Sequence, residues 1–341
     1  MESIQRALTG IRPTGRLHLG HFVGALNQWI PLQDEYECFF LIADVQALTT
    51  HADDPTLIAR SVREVVLDFL SVGLFPNRPN VHFVLQSGIP ELYELTVLLS
   101  MVTPDNWVSR NPTVMAEKAS AVGDVTVGFA MYPVSQAADI LFVTQSPNQA
   151  ILVPVGEDQI PHLRLNNKIA ARFNRIYAPV LARCEPLVGK IGRLVGIDGE
   201  AKMSKSLGNV INLSDPTETV RRQVMRMFTD PNRTSADVPG AVEGNPVFMY
   251  HDAFNRDVAQ VADLKKRYRA GKVGDVEVKH ALIDALEEFL QPIRERRMMY
   301  QENAALCAQF LEEGTAVARK VAQNTLTQVR HAMGLDYQGL F

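Results

Sequence analysis

The 341-residue sequence predicts an α/β fold: a Rossmann-like doubly wound parallel sheet followed by a C-terminal all-helical domain. Three observations predict it. Apolar runs of strand length alternate with helical periodicity through the N-terminal half, the pattern of a parallel sheet flanked by helices. A short polar segment, "AKMSKSLGN", then interrupts that alternation. Beyond about residue 215 only helical periodicity remains.

The elements follow in order. "IQRALTGI" reads as the first strand and "HFVGALNQWIPL" as the helix after it. "CFFLIADV" is a second buried strand. "DDPTLIARSVREVVLDFLSVG" is a helix with Asp53 or Asp54 at its N-cap, Pro55 near its first turn and Gly73 at its end. "VHFVLQSG" is a third strand, "YPVSQAADILFVT" a helix, "AILVPVG" a strand, and Glu157 to Tyr177 a helix. In the C-terminal part, Asp215, Pro216 and Glu218 suit a capped start for "TETVRRQVMRMF". "VEVKHALIDALEEFLQPIRERRMMY" places Leu282, Leu286, Leu290 and Ile293 on one face, and Pro292 is expected to bend or interrupt it. "AALCAQFLEE" and "TAVARKVAQNTLTQVRHAM" read as two helices paired around Gly314. The domain boundaries expected are 1–214 and 215–341, with the last helix packing back on the first domain.

A composition that is 46% hydrophobic is enough to bury a sizeable core. No apolar run approaches the roughly 20 residues of a membrane span, and "MESIQRALTG" lacks the pattern of a signal peptide, so a cytoplasmic protein without membrane partners is expected. Cys38, Cys184 and Cys307 are solitary and indicate neither a disulfide framework nor a thiolate metal site. The net charge of −4 argues against coating nucleic acid by bulk electrostatics. The basic clusters "LKKRYRAGK", "RRQVMR" and "RERR" are either local contact patches or ordinary solvated helix faces.

The chemistry concentrates in two stretches. In "RPTGRLHLGH" a helix begins just beyond the first strand, where doubly wound sheets bind ligands. Free N–H groups and the positive dipole end face a ligand there, Gly20 permits close approach to the backbone, and His18 and His21 donate from one turn. The competing readings are capping histidines or a zinc pair, for which no third ligand is evident nearby. In "AKMSKS", Lys202 and Lys205 lie in a small, polar segment between Gly199 and Gly208, suited to closing over a polyphosphate. The bland alternative is a flexible linker with solvated lysines.

"HLGH" and "KMSKS", in this order around an α/β domain, resemble the paired signatures of the class I aminoacyl-tRNA synthetases. "GIRPTGRLHLGHFVGAL", "MYPVSQAADIL" and "VPVGEDQIPHLRLNNKIAARFN" resemble the blocks of the tryptophanyl-tRNA synthetase family over nearly the whole chain. The resemblance implies ATP, with Mg²⁺, as the energy source, and L-tryptophan and its cognate tRNA(Trp) as the other substrates. Tryptophanyl-adenylate is the implied intermediate and a homodimer the implied assembly, with an interface between about Leu85 and Val127. It implies that Lys202, Lys205, His18 and His21 carry catalysis. ATP contacts fall to Arg12, Pro13, Thr14, Gly20, His21, Gly156, Glu157, Asp158, Leu194, Lys202, Met203, Ser204, Lys205 and Ser206. The amino-acid pocket falls to Asp139, Tyr132, Gln136, Gln159 and Gln46: Tyr132, Gln136 and Asp139 stand at i, i+4 and i+7 of one helix, Asp139 accepting the indole N–H and Tyr132 with Gln159 holding the ammonium group. No resident metal is implied, and the helical domain would read the anticodon.

Arg12, Gln46 and Gln136 stand where the commoner bacterial pattern has glutamine, histidine and methionine, a departure that fits a divergent second-type form. The alternatives are a tyrosyl-tRNA synthetase, a small nucleotidyltransferase, and a non-catalytic tRNA- or protein-binding paralogue. The "GEDQ" block and the absence of a further small RNA-binding module after Phe341 favour tryptophan over tyrosine. A nucleotidyltransferase has no reason to carry the helical part, and a non-catalytic copy none to keep both signatures.

Overall fold

A computed structural model describes residues 4–120, 124–189, 194–199, 203–230, 233 and 235–337. Through the N-terminal half the elements are β1 (Arg6–Ile11), α1 (Leu19–His21), α2 (Asn27–Leu32), β2 (Glu37–Ile42), α3 (Asp44–His51), α4 (Pro55–Val72), β3 (Val81–Leu85), α5 (Glu91–Ser100), α6 (Asp105–Ser109), α7 (Pro112–Ser120), α8 (Val127–Leu141), β4 (Ile151–Val155), α9 (Ile160–Ile176) and β5 (Cys184–Val188). After them come α10 (Thr217–Met225), α11 (Pro246–Phe254), α12 (Val258–Arg269), α13 (Asp275–Gln301) and α14 (Ala304–Ala332).

The five strands are parallel in the order β3-β2-β1-β4-β5. Their pleat sends alternate side chains to two buried faces. Cys38, Phe40 and Ile42 enter one cluster with Trp29, α4 and the helices α10, α11 and α13, while Phe39 and Leu41 enter a second with α5, α8, α9 and α14. This double burial is why the strands read as continuous apolar runs rather than alternating ones. Trp29 stacks on Phe40 with ring centroids 5.6 Å apart. The strand order reverses between β1 and β4, so the loops leaving their carboxyl ends flank one crevice.

Several local expectations change. "CFFLIADV" stops being a strand at Ile42, because Asp44 already opens α3. Asp54, rather than Asp53, caps α4, its carboxylate accepting the Leu57 N–H at 2.9 Å. The helix after β1 contains a π-helical segment, Phe22–Leu26, between α1 and α2. Asp215 turns back to accept the Asn212 N–H at 2.8 Å, leaving α10 to start at Thr217 with Pro216 at its N-cap position and no side-chain cap. α13 runs through Pro292 without interruption, and the two helices expected around Gly314 are one, α14.

Gly314 has a reason other than a turn. A Cβ there would lie 2.2 Å from the carbonyl oxygen of Phe83, so the helix backbone touches the outermost strand directly. α14 thereby covers the open edge of the sheet, where the Leu85 N–H is accepted by Thr315 Oγ1 at 3.0 Å. Farther along, Ala318, Ala322, Leu326 and Val329 form the stripe that enters the second core, and Thr325 Oγ1 donates to the Phe142 carbonyl at 2.7 Å.

Candidate active site

The two stretches singled out from the sequence lie against each other. The segment before α1 pairs with the chain just after the lysine segment: the Leu19 N–H donates to the Ile211 carbonyl and the Leu213 N–H to the Leu17 carbonyl, both at 2.9 Å. Met203 is buried with its sulfur 3.1 Å from the Gly20 nitrogen. A Cβ at Gly20 would stand 2.9 Å from that sulfur and 3.0 Å from the His18 ring, so only glycine fits this crossing without displacement. Lys205 reaches back to donate to the Thr14 carbonyl at 3.1 Å. Lys202 lies outside the described residues, as does the side chain of Ser206.

His18 is buried and His21 half-buried, their ring centroids 3.7 Å apart. The His18 N–H donates to His21 Nδ1 at 3.2 Å, which places the proton of a neutral His21 ring on Nε2, the arrangement a phosphate oxygen needs. Burial lowers the Lys205 ammonium to about 8, with Asp68 pulling the other way. Asp68 itself is buried and raised to about 6 by that burial, against the pull of Arg297 and the Leu17 N–H. The Leu17 N–H donates to Asp68 Oδ2 at 2.7 Å and Arg297 pairs with both Asp68 and Glu64, so helix α13 braces the imidazole turn through two carboxylates. Arg16 meets the same Glu64 at 3.1 Å.

At the other side of the crevice, α8 does present Tyr132, Gln136 and Asp139 on one side. Asp139 is buried, and burial pushes its carboxyl up to about 7 although the Gln86 amide draws it down. Gln86 Nε2 donates to both Asp139 oxygens at 2.9 Å and Gln46 Nε2 to Oδ2 at 2.5 Å. The Gln46 N–H in turn donates to Gln86 Oε1 at 3.1 Å. Two side-chain amides therefore hold a buried acceptor in place, and the Gln46 singled out from the sequence is one of them.

Higher in the crevice, Gln136 Nε2 donates to Gln159 Oε1 at 3.5 Å. Tyr132 makes no hydrogen bond to Gln159; its hydroxyl donates to Glu117 Oε2 at 2.6 Å and lies 3.1 Å from His162 Nε2. Arg12 Nη2 is 4.0 Å from Glu117 Oε1. Gly156 opens the turn Glu157–Gln159, with Glu157 and Asp158 exposed at the end of β4. Pro13 and Leu194 are buried, the latter in the core, and Ser204 donates its N–H to Asn209 Oδ1 at 2.7 Å.

Sequence reading missed Gln86, Glu117 and His162. Gln86 carried a faint signal, a polar residue at the carboxyl end of a buried strand, whereas Glu117 and His162 come from helices whose mutual packing no local pattern reveals. The "RERR" cluster is absorbed internally: Arg294 pairs with Glu287, Arg296 donates to the Ser71 carbonyl, and Arg297 serves the carboxylates above. In "LKKRYRAGK", Lys265, Arg267 and Arg269 pair with Asp252, Glu277 and Glu243. No helix among the described residues is long and apolar enough to cross a membrane.

Residues 2–291 match the family model of tRNA synthetases class I (W and Y). The chain is 49% identical to the tryptophan--tRNA ligase of Treponema pallidum over 98% of each sequence, and 46% identical to that of Streptococcus mutans over 97% of this chain and 98% of that protein. Among solved structures it is similar to the tryptophanyl-tRNA synthetase of Campylobacter jejuni complexed with ADP and tryptophan, with a TM-score of 0.83 and 31% identity over 97% of this chain and 100% of that one.

Proposed function

Because the chain belongs to the class I tRNA synthetases of the tryptophan and tyrosine family, we propose that it is a tryptophan–tRNA ligase that works through tryptophanyl-adenylate. A tryptophan carboxylate oxygen attacks the α-phosphorus of ATP, the bond to the bridging oxygen breaks, and pyrophosphate leaves. The terminal ribose hydroxyl of tRNA(Trp) then attacks the activated carbonyl and AMP leaves. Such displacements depend on positioning and on neutralising charge, with no nucleophile needed from the protein.

The observation that carries this reading is the meeting of the imidazole turn with the lysine segment, Lys205 on the Thr14 carbonyl and Met203 over Gly20. ATP lies between them, its phosphates drawing Lys205 from Thr14 while Lys202, His18 and His21 complete the cradle. Arg12, Pro13, Thr14, Gly20, Gly156, Glu157, Asp158, Leu194, Met203, Ser204 and Ser206 line the nucleotide. Mg²⁺ enters with the triphosphate as part of the substrate, as it commonly does. Asp139, held by Gln46 and Gln86, takes the indole N–H, a donor with no acceptor function, so phenylalanine leaves a buried acceptor unpaired. Gln136, Gln159 and Tyr132 face the head group.

The segment 215–341 takes the anticodon, where unpaired bases are read by stacking and edge contacts. The protein acts in the cytoplasm as a homodimer. Exposed Tyr93 and Val97 on α5 and Met101 just beyond it form a stripe, and with Met115 and Val127 they give an apolar face for the second copy. Pyrophosphate exchange with each amino acid tests the assignment. Exchange driven by tryptophan is expected, and exchange driven by tyrosine alone overturns it.

A further inference from the structure

The head of an amino acid carries an ammonium with three donors and no acceptor, so whatever holds it must offer lone pairs and negative charge. Tyr132 alone is a poor choice, since a phenol has one proton to place and placing it toward the ligand repels a cation. The structure resolves this by committing that proton elsewhere. Tyr132 Oη donates to Glu117 Oε2 at 2.6 Å, a short bond of the kind a carboxylate acceptor makes. Burial and the neighbouring Glu117 both raise the phenol's pKa, so the hydroxyl stays neutral. His162 Nε2 lies 3.1 Å from the same oxygen. Burial lowers the His162 pKa, which keeps that ring neutral with a single proton. With the phenol proton directed at Glu117, the bond to His162 requires the Nε2–H tautomer. One lone pair of Tyr132 is then taken by His162 and one is left for an outside donor.

Charge fits as well. Arg12, after β1, and Glu117, on α7, approach to 4.0 Å at the mouth of the crevice, with side chains 44% and 33% exposed. A pair so exposed contributes little to stability, so a ligand ammonium displaces the guanidinium at small cost. Tyr132 and Asp139 stand two helical turns apart on α8, about 10 Å of rise, with the ring acceptor at the buried end and this charged cluster at the open end.

Resting on the ligase reading above, we propose that Glu117 is a specificity-determining residue that supplies the counter-charge for the substrate's α-ammonium and orients the Tyr132 hydroxyl as its acceptor. Glu117 acts through Tyr132 as a positioning residue and discriminates amino acids from ring compounds that lack the amine.

Three ligands separate the ends of the molecule: L-tryptophan, tryptamine, which keeps the ammonium, and indole-3-propionate, which keeps only the carboxylate. Dissociation constants by calorimetry for the wild-type chain and Glu117→Gln are expected to show tryptophan and tryptamine weakened about tenfold and indole-3-propionate unchanged. In pyrophosphate exchange the same variant raises KM for tryptophan and leaves KM for ATP unaltered. Glu117→Asp, which keeps the charge and shortens its reach, falls between. Equal weakening of all three ligands makes Glu117 a structural support only and overturns the proposal, as does no weakening of any. The wild-type chain separately reports on the ligase reading: if it binds tyrosine and not tryptophan, that reading fails. Tyramine and 3-(4-hydroxyphenyl)propionate then test Glu117 in the same way.

Discussion

Replacing Lys205 with methionine removes one charge while keeping most of the side chain's length. Its ammonium donates to the Thr14 carbonyl at 3.1 Å, in a largely buried position that lowers its pKa to about 8. A charge-assisted contact that tightens on the leaving pyrophosphate in such a site contributes roughly 3 to 4 kcal/mol to the transition state, or about 10² to 10³ in rate. The bond to Thr14 is exchanged for the phosphate and offsets part of that. Rapid-quench measurement of adenylate formation is therefore expected to show a loss of about 10², with the dissociation constant for tryptophan changed less than twofold, since Asp139 and its amides lie across the crevice. The pH profile adds a second arm. A lysine lowered to about 8 is an ammonium below that pH and a neutral amine above it, so kcat/KM for ATP falls as pH rises through about 8. That alkaline limb disappears in Lys205→Met and moves upward in Lys205→Arg. Equal losses in rate and in tryptophan affinity, or an alkaline limb that survives the methionine substitution, refute transition-state neutralisation by this lysine.

Asp139→Asn is expected to lower the preference for tryptophan over phenylalanine by about 10², measured as a ratio of kcat/KM values, because the carboxylate that accepts two amides and the indole N–H is gone. The same carboxyl, raised to about 7, is ionised only above that pH, so kcat/KM for tryptophan rises through about 7 and the acid limb is absent in the variant. Gly314→Ala places a methyl 2.2 Å from the Phe83 carbonyl and is expected to lose about 3 kcal/mol or more in chemical denaturation. Val97→Glu on the exposed stripe of α5 is expected to shift the chain to a monomer in analytical ultracentrifugation, while a surviving dimer moves the interface elsewhere.

Much of this architecture is legible locally. β1 to β4 lie where short apolar runs predicted strands, whereas β5, with Glu185 and Pro186 in "CEPLV", is short, lacks an apolar run and was not predicted. α4 begins at its aspartate cap and ends before Gly73 as capping chemistry requires. The imidazole turn and the lysine segment were recognisable as short motifs, since each needs small residues and few charges in a fixed local order. What was not legible depends on distant partners. Gly314 looks like a helix end by propensity, and only its contact with β3 explains a glycine inside a 29-residue helix. Asp215 has the composition of a cap but finds Asn212 first. Gln86, Glu117 and His162 reach the crevice because β3, α7 and α9 converge on α8, and that convergence leaves no trace in spacing along any one segment.

The contact between Gly314 and Phe83 also bears on how the chain is made. β3 leaves the ribosome more than 200 residues before the helix that covers its outer side, so during most of synthesis a fully formed strand offers unpaired amides to any neighbouring nascent chain. A message cut short before α14 thus yields a product with a complete sheet and a sticky rim. Its fate is coaggregation rather than slow turnover, with holdase chaperones expected to engage the growing polypeptide until α14 emerges.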